Sequence, residues 1–408
     1  MTLRVAALVF AAAFIGLGQP YTQRGFFENF STFYPQAAPN DDGRAVSMVL
    51  LRYEAGYEVL PWLKLNASFD ATTDTHRQVE RAWDVSLDDR TIRRPAFSVR
   101  RLSALITRGR FTIEAGRQFI RWGRADILNP VDRFAPKDFL NVVNTEFLGV
   151  IAARATYESG SNTVDLVWQP WFTPSRTPLI NQRWTVLPEQ ASLFRFRDLG
   201  ADYPSRHQFG ARWNHVGRGY EFAASYFDGF NHLPLLRASL RDAADVDVER
   251  WYPRLRLYGF DAAVPTRWAT VKGEAAYFTT SRSQTDEYLL YVIQLERQQG
   301  EWIFAGGYAG EYLTEAAANP FQFSPERGFA KSFLGTAQYT ISPTRTFAVS
   351  AAVRQNGDGS WLRGEYSQTF GRHWRATAGF TWIRGDAADF LGQYHRNSYG
   401  SLALRYSF

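Results

Sequence analysis

The chain has 408 residues, 45% of them hydrophobic, with a net charge of +6 and no cysteine. The length suits one large domain or two ordinary ones, and beyond the N-terminus no run of about 18 apolar residues occurs, which excludes helical membrane spans. The positive charge is carried almost wholly by arginines dispersed at alternating positions, with lysine only at Lys64, Lys137, Lys272 and Lys331; that scatter argues against a nucleic-acid surface.

Aromatic residues make up 16% of the chain, including 13 Trp and 20 Tyr. Such side chains suit a membrane–water interface, where one end is apolar and the other wet. The absence of cysteine fits a route through an oxidising periplasm. Residues 1–18 read as a secretory signal, with Arg4 before the short apolar core 5–15 and removal expected near Gly18. Residues 19–408 then form a single domain.

From there the chain repeats one pattern. Residues 24–34 read as a first strand, followed by the turn Asn40-Asp41-Asp42-Gly43. Segments 45–53 and 57–70 read as a hairpin around Gly56. The polar stretch 71–94 reads as a long loop. Further hairpins pair 97–107 with 111–119, 150–158 with 163–171, 208–216 with 220–228, and 254–262 with 269–278. The last three pair 288–296 with 302–312, 333–341 with 346–354, and 361–370 with 374–383. With the closing strand the count is about 18, and 16 is possible. Each strand is near the ten residues that cross a bilayer at a tilt. Short turns alternate with mostly longer links, the asymmetry expected of periplasmic turns and outer loops. The fold class is therefore all-β: a closed, transmembrane, antiparallel up-and-down barrel. An even strand count places both termini in the periplasm.

The faces follow from period two. Outward candidates are Phe209, Ala211 and Trp213; Tyr220, Phe222, Ala224 and Tyr226; and Trp374, Ala376, Ala378, Phe380 and Trp382. A charged side chain facing hydrocarbon costs about 2–4 kcal/mol at mid-depth. So Arg101, Glu114, Arg154, Arg212, Arg254, Arg256, Lys272, Glu274, Arg363, Glu365, Arg375 and Arg405 are expected to line the lumen wall. Cations outnumber anions in that set, so the lumen either favours anionic solutes or is merely braced by Arg–Glu pairs. Both readings stay open here.

The closing strand ends Leu402-Ala-Leu-Arg-Tyr-Ser-Phe408, with Leu402, Leu404, Tyr406 and Phe408 on one face. It resembles the terminal strand of bacterial outer-membrane barrels. That resemblance implies an insertion signal in Tyr406 and Phe408, read by the barrel-assembly machinery of a Gram-negative cell. Outer-membrane lipids and lipopolysaccharide would surround the barrel.

Residues 116–141 break the alternation, with charges among bulky apolar residues and two prolines that forbid a regular strand. The stretch from Pro136 suggests one helical turn. A loop of this length and mixture is expected to fold inward, with Trp122, Phe134 and Phe139 as anchors. Arg117, Arg121, Arg124, Asp126, Asn129, Asp132, Arg133, Lys137 and Asp138 then become candidates, with Trp122, for narrowing the lumen. Plug, selectivity element and exposed loop are the three alternatives. The motif Gly116-Arg117-Gln118, Trp122-Gly123, Asp126, Asn129-Pro130, Asp132 and Pro136 resembles one in a large family of outer-membrane barrels distantly similar to alginate-export porins. The resemblance implies a barrel of this size with an occluded lumen and a transport role, sometimes beside an inner-membrane permease.

Catalytic patterns are weak. None of the six histidines stands at metal-ligand spacing with another histidine or an acid. His207 with Ser225 is an arbitrary pair, and the acids Asp242, Asp245, Asp247 and Glu249 lack the rhythm and glycine of a calcium loop. No enzyme activity and no cofactor are expected. The leading expectation is a porin-like channel passing small anionic or amphiphilic solutes, narrowed by the loop 120–146. The alternatives are the outer-membrane part of a lipid or polysaccharide pathway, and a structural or receptor barrel with Trp171, Phe172, Trp184 and Phe194 as contact residues.

Overall fold

The computed structural model describes residues 21–186, 194–242, 245–280, 285–317 and 323–408. The expected signal segment and its cleavage point lie outside them.

Eighteen strands form the wall: β1 (Tyr21–Phe33), β2 (Ala45–Leu60), β3 (Leu63–Asp74), β4 (Phe97–Arg108), β5 (Phe111–Gln118) and β6 (Val150–Ser159). Then come β7 (Asn162–Trp171), β8 (Gln208–Gly217), β9 (Tyr220–Phe230), β10 (Arg254–Pro265), β11 (Thr270–Thr279) and β12 (Glu287–Gln299). The last six are β13 (Trp302–Glu315), β14 (Ser332–Ser342), β15 (Arg345–Arg354), β16 (Gly359–Phe370), β17 (Trp374–Gly385) and β18 (Tyr399–Ser407). Each pairs antiparallel with its neighbour in sequence. β1 also pairs with β18, from Phe26 opposite Ser407 to Phe33 opposite Gly400, so the sheet closes and has no free edge. One extra two-residue strand, Val85–Ser86, lies parallel to the start of β4.

Both faces of the wall obey the alternation. Phe209, Trp213, Tyr258, Phe260, Trp374, Phe380, Leu402 and Leu404 are exposed on the outside, while Gln208, Arg212, Asp261, Glu274 and Gln294 are buried inside. The eight short connections lie at one end together with the start of β1 and the end of β18. At the other end a three-stranded sheet, Arg195–Asp202, Asp245–Trp251 and Leu235–Leu240, is built from two of the long links.

Three local expectations need correcting. The first hairpin does not turn at Gly56: β2 runs on to Leu60, and the turn is Pro61-Trp62. Proline has no N–H to give the ladder, so the strand ends at it, whereas glycine inside a strand is tolerated. Pro136 does not open a helical turn: Lys137–Asp138 is extended and pairs with Glu146–Phe147. Arg254 and Arg256 do not line the lumen. They share the outer face of β10 with Tyr258 and Phe260, and Arg254 pairs with Asp228 of β9 at 2.7 Å. All three charges stand at the long-link end of their strands, where the position is interfacial and exposure to the membrane costs about 0–1 kcal/mol.

Candidate functional site

The inward loop leaves the wall at Phe119 and returns at Val150. Inside the barrel it is held by a carboxylate on the wall. Glu274 of β11 accepts hydrogen bonds from three loop amides, Arg124 at 3.0 Å, Ala125 at 3.1 Å and Val131 at 2.8 Å. Each of those amides would otherwise be a buried donor without a partner, which costs about 1–3 kcal/mol. The motif residues tie the loop to itself. Asn129 Nδ2 donates to the Trp122 carbonyl at 2.8 Å. Asp132 accepts from the Trp122 amide at 3.2 Å and pairs with Arg121. Gly123 has φ of 93°, and a Cβ there would strike both Asn129 and Glu274.

The loop charges are matched to the wall. Arg124 pairs with Asp261 at 2.7 Å and also meets Glu221. Asp126 pairs with Lys272 at 2.8 Å and takes a hydrogen bond from Gln294 at 2.5 Å. Arg133 and Lys137 both reach Glu326, which sits on the short helix Pro325–Gly328 of another link. Beneath the loop the wall turns apolar on its inner face. Trp122 and Phe134 pack edge-on at 5.2 Å between ring centres, and Phe134 packs on Phe227 at 5.1 Å. Leu257, Phe278, Leu290 and Val292 continue the same core. Gly210 of β8 allows the approach, because a Cβ there would overlap both the Trp122 and Phe134 rings.

On the opposite side the interior is open. A cavity of about 360 Å³ is bounded by β1 to β4 and β16 to β18 on the wall side and by the loop on the other. Eight arginines and six carboxylates line it. Of the expected wall residues, Arg363, Glu365 and Arg405 are there. Arg101, Glu114, Arg154, Arg212, Lys272, Glu274 and Arg375 also take inward positions on their strands, outside this cavity.

Sequence reasoning found the cations and missed most of their partners. Arg154 meets Asp165 at 2.7 Å, Arg212 meets Asp261 at 2.7 Å, and Arg405 meets Glu28 at 2.7 Å. Arg101 meets Glu114, and Arg363 meets Glu365, each at 2.7 Å. The parity of each strand could have shown the three acids missed, Glu28, Asp165 and Asp261, since all of them stand at inward positions. A second missed group has no sequence signal of that kind. Arg117, Asp89, Arg176, Asp138 and Arg94 form a buried chain in that order, joining four separate stretches of the chain. Burial pushes the Asp138 carboxyl up, but Arg94 and Arg176 outweigh it and hold it below the usual range. The same contest leaves Glu326 at about 2, with Arg133 and Lys137 prevailing. Asp132 goes the other way: burial dominates over Arg121 and lifts it to about 6.

Other expectations meet different outcomes. Phe172 and Trp184, expected as outer contact residues, are buried in the links, Trp184 against Tyr394. His207 takes a hydrogen bond from Trp168 at 3.1 Å, while Ser225 is buried inside the barrel, so the two are not brought together. Among the described residues no group of three or more His, Cys, Asp or Glu is arranged to hold a metal ion.

No family model matches the chain, and no curated protein sequence matches it. Solved structures do match. OccAB3 of Acinetobacter baumannii gives a TM-score of 0.57 at 11% identity, over 95% of this chain and 99% of that one. A BenF-like porin from Pseudomonas fluorescens Pf-5 gives 0.54 at 10% identity, over 96% and 99%. OpdQ of Pseudomonas aeruginosa gives 0.51 at 11% identity, over 96% and 98%. At these identities the likeness is one of fold: the chain shares the closed barrel of these proteins.

Proposed function

We propose that this protein is an outer-membrane channel through which small anionic or amphiphilic solutes pass passively. The observation that carries the reading is the charged cavity beside the loop, with eight arginines against six carboxylates. A wall of fixed guanidinium groups offers bidentate hydrogen bonds to carboxylate, sulfate or phosphate, and a small positive excess raises the local concentration of anions. A recess lined by Arg24, Glu54, Lys64, Asn66, Ser68 and Arg101 continues the polar side toward the short-turn end. In this reading the short turns and both termini are periplasmic, and Tyr406 and Phe408 serve the assembly machinery. Arg121, Arg124, Asp126, Arg133, Lys137 and Asp138 hold the loop in place and so set the width of the route.

One observation favours a second reading, a place in a trans-envelope lipid pathway with an inner-membrane permease. Another cavity, about 390 Å³, has Ile127, Leu128, Phe139, Val142, Phe329 and Trp361 in its lining, beside Asp126, Lys137 and Glu326. Planar-bilayer recording of the purified protein tests the first reading. Steady conductance with a reversal potential on the anion side is expected; a sealed barrel that carries no current leaves the lipid reading in its place.

A further inference from the structure

The wall is not equally tall all the way round. Strands β5 and β6 stop at Gln118 and Val150, which face each other, and the chain between them goes into the lumen. β4 continues past that level. Its residues from Leu102 onward pair with β5, Leu102 lying opposite Arg117, but Phe97 and Ser98 pair with Val85 and Ser86 instead. With about 3.3 Å per residue and a tilt near 40° from the barrel axis, the notch above β5 is about 10 Å deep. Phe97 stands at its top, at the long-link end of β4, so the notch opens at the outer rim of the wall, toward the membrane interface.

A single stretch, residues 83–90, fills it. On the outer side Trp83 is 91% exposed and packs on Phe97, with Val85 and Leu87 exposed beside it. On the inner side Asp89 and Arg117 line the charged cavity. The stretch is held by the two-residue ladder and by side chains. Arg117 donates to the Leu87 carbonyl and to Asp89 at 2.8 Å, Arg176 also meets Asp89, and Arg90 donates to the Phe172 carbonyl at 2.9 Å. Above β5 this stretch stands where main-chain pairing between wall strands would otherwise continue.

We infer that residues 83–90 form a lateral gate between the charged cavity and the membrane leaflet at the long-loop end, used by amphiphiles with an anionic head. When the stretch swings outward, Asp89 leaves with it. Arg117 and Arg176 then face the opening without that carboxylate, and the head group of the solute replaces it. The tail stays along Trp83, Val85 and Leu87 in lipid. No bond is made or broken beyond hydrogen bonds, and charge is conserved by the exchange of one anion for another. The inference rests on the channel reading above, and the test separates the two.

The chain has no cysteine, so a double variant Val85→Cys/Phe97→Cys gives one disulfide across the ladder. Neighbouring strands stand about 4.8 Å apart, within disulfide reach. Proteoliposome uptake is measured for methyl sulfate and for micromolar decyl sulfate, which share a head group and differ in the tail. Oxidation is expected to lower decyl sulfate uptake at least tenfold while methyl sulfate changes less than twofold, and reductant is expected to restore it. Equal decyl sulfate uptake in the locked and reduced forms overturns the gate, as does a parallel loss of both solutes. Absence of methyl sulfate uptake in the unmodified protein removes the channel reading, and the gate with it. The double variant Trp83→Ser/Leu87→Ser, whose two side chains are exposed outside the cavity, provides a second arm that needs no disulfide: decyl sulfate uptake is expected to fall severalfold with methyl sulfate unchanged, and no selective fall counts against the gate.

Discussion

Inside one barrel, the wall of β9 to β12 and the wall of β1 to β3 obey the same period-two rule with opposite results. On β9 to β12 the inward positions include Phe227, Leu257, Phe278, Leu290 and Val292, and the loop packs on them as a dry core. On β1 to β3 they include Glu28, Arg52, Asp70 and Thr72, and the space in front of them stays open. The loop turns Ile120, Trp122, Leu128, Val131 and Phe134 toward the first wall, and only a few apolar residues, such as Phe147 and Leu148, toward the open side. The difference shows that alternation alone says which residues face the interior, and the character of those residues says whether the interior is filled. A run of apolar inward positions across neighbouring strands marks where something covers the wall, since water there is unfavourable by about 25 cal/mol for each Å² exposed. Phe30 and Met48, by contrast, are set among charged neighbours and line the open side.

This contrast can be broken at several points. The largest effect is expected from Glu274→Ala, which strands three loop amides at about 1–3 kcal/mol each. The loop should come away from β11, with a lower thermal transition and a severalfold larger single-channel conductance. Next is Phe134→Ala, a buried aromatic truncation expected to destabilise by about 3–5 kcal/mol in denaturant unfolding. Acid should loosen the same side. Glu326 is held at about 2 in the folded chain against an ordinary value of 4.5. Its contribution is therefore present above pH 4.5 and is lost as the pH falls toward 2, about 3 kcal/mol in all. In Glu326→Gln the acid-induced rise in protease cleavage of the loop should be absent over that window. Asp132 has the opposite sign, since its folded value of about 6 is raised. Asp132→Asn should remove a loss of stability that otherwise accompanies rising pH between about 4 and 6. The smallest effect is expected on the open side. Arg363→Gln should leave stability within about 1 kcal/mol and shift the reversal potential toward cations by a few millivolts.

The wall was legible in the sequence because each strand carries its own signal. Leu402, Leu404, Tyr406 and Phe408 declare their face without reference to any other segment. The first turn was misplaced because Gly56 and Pro61 both punctuate a strand, and only proline removes a ladder donor. Arg254 and Arg256 were misassigned because charge was read without depth along the strand. The loop was visible as a break in the pattern, but its seating was not. Glu274 looks like any inward acid until three amides from 150 residues away converge on it. The chain of Arg117, Asp89, Arg176, Asp138 and Arg94 is harder still, because its members come from links whose contacts are set by the closed barrel rather than by local sequence.

Cysteine accessibility tests the two-sided interior most directly. Ser401→Cys lines the open cavity and Ala276→Cys lies in the dry core, each in a background without other cysteines. With an anionic methanethiosulfonate added during bilayer recording, the current through Ser401→Cys should fall irreversibly while that through Ala276→Cys stays constant. Rapid modification at Ala276 with none at Ser401 would put the water on the other side of the loop and contradict the arrangement described.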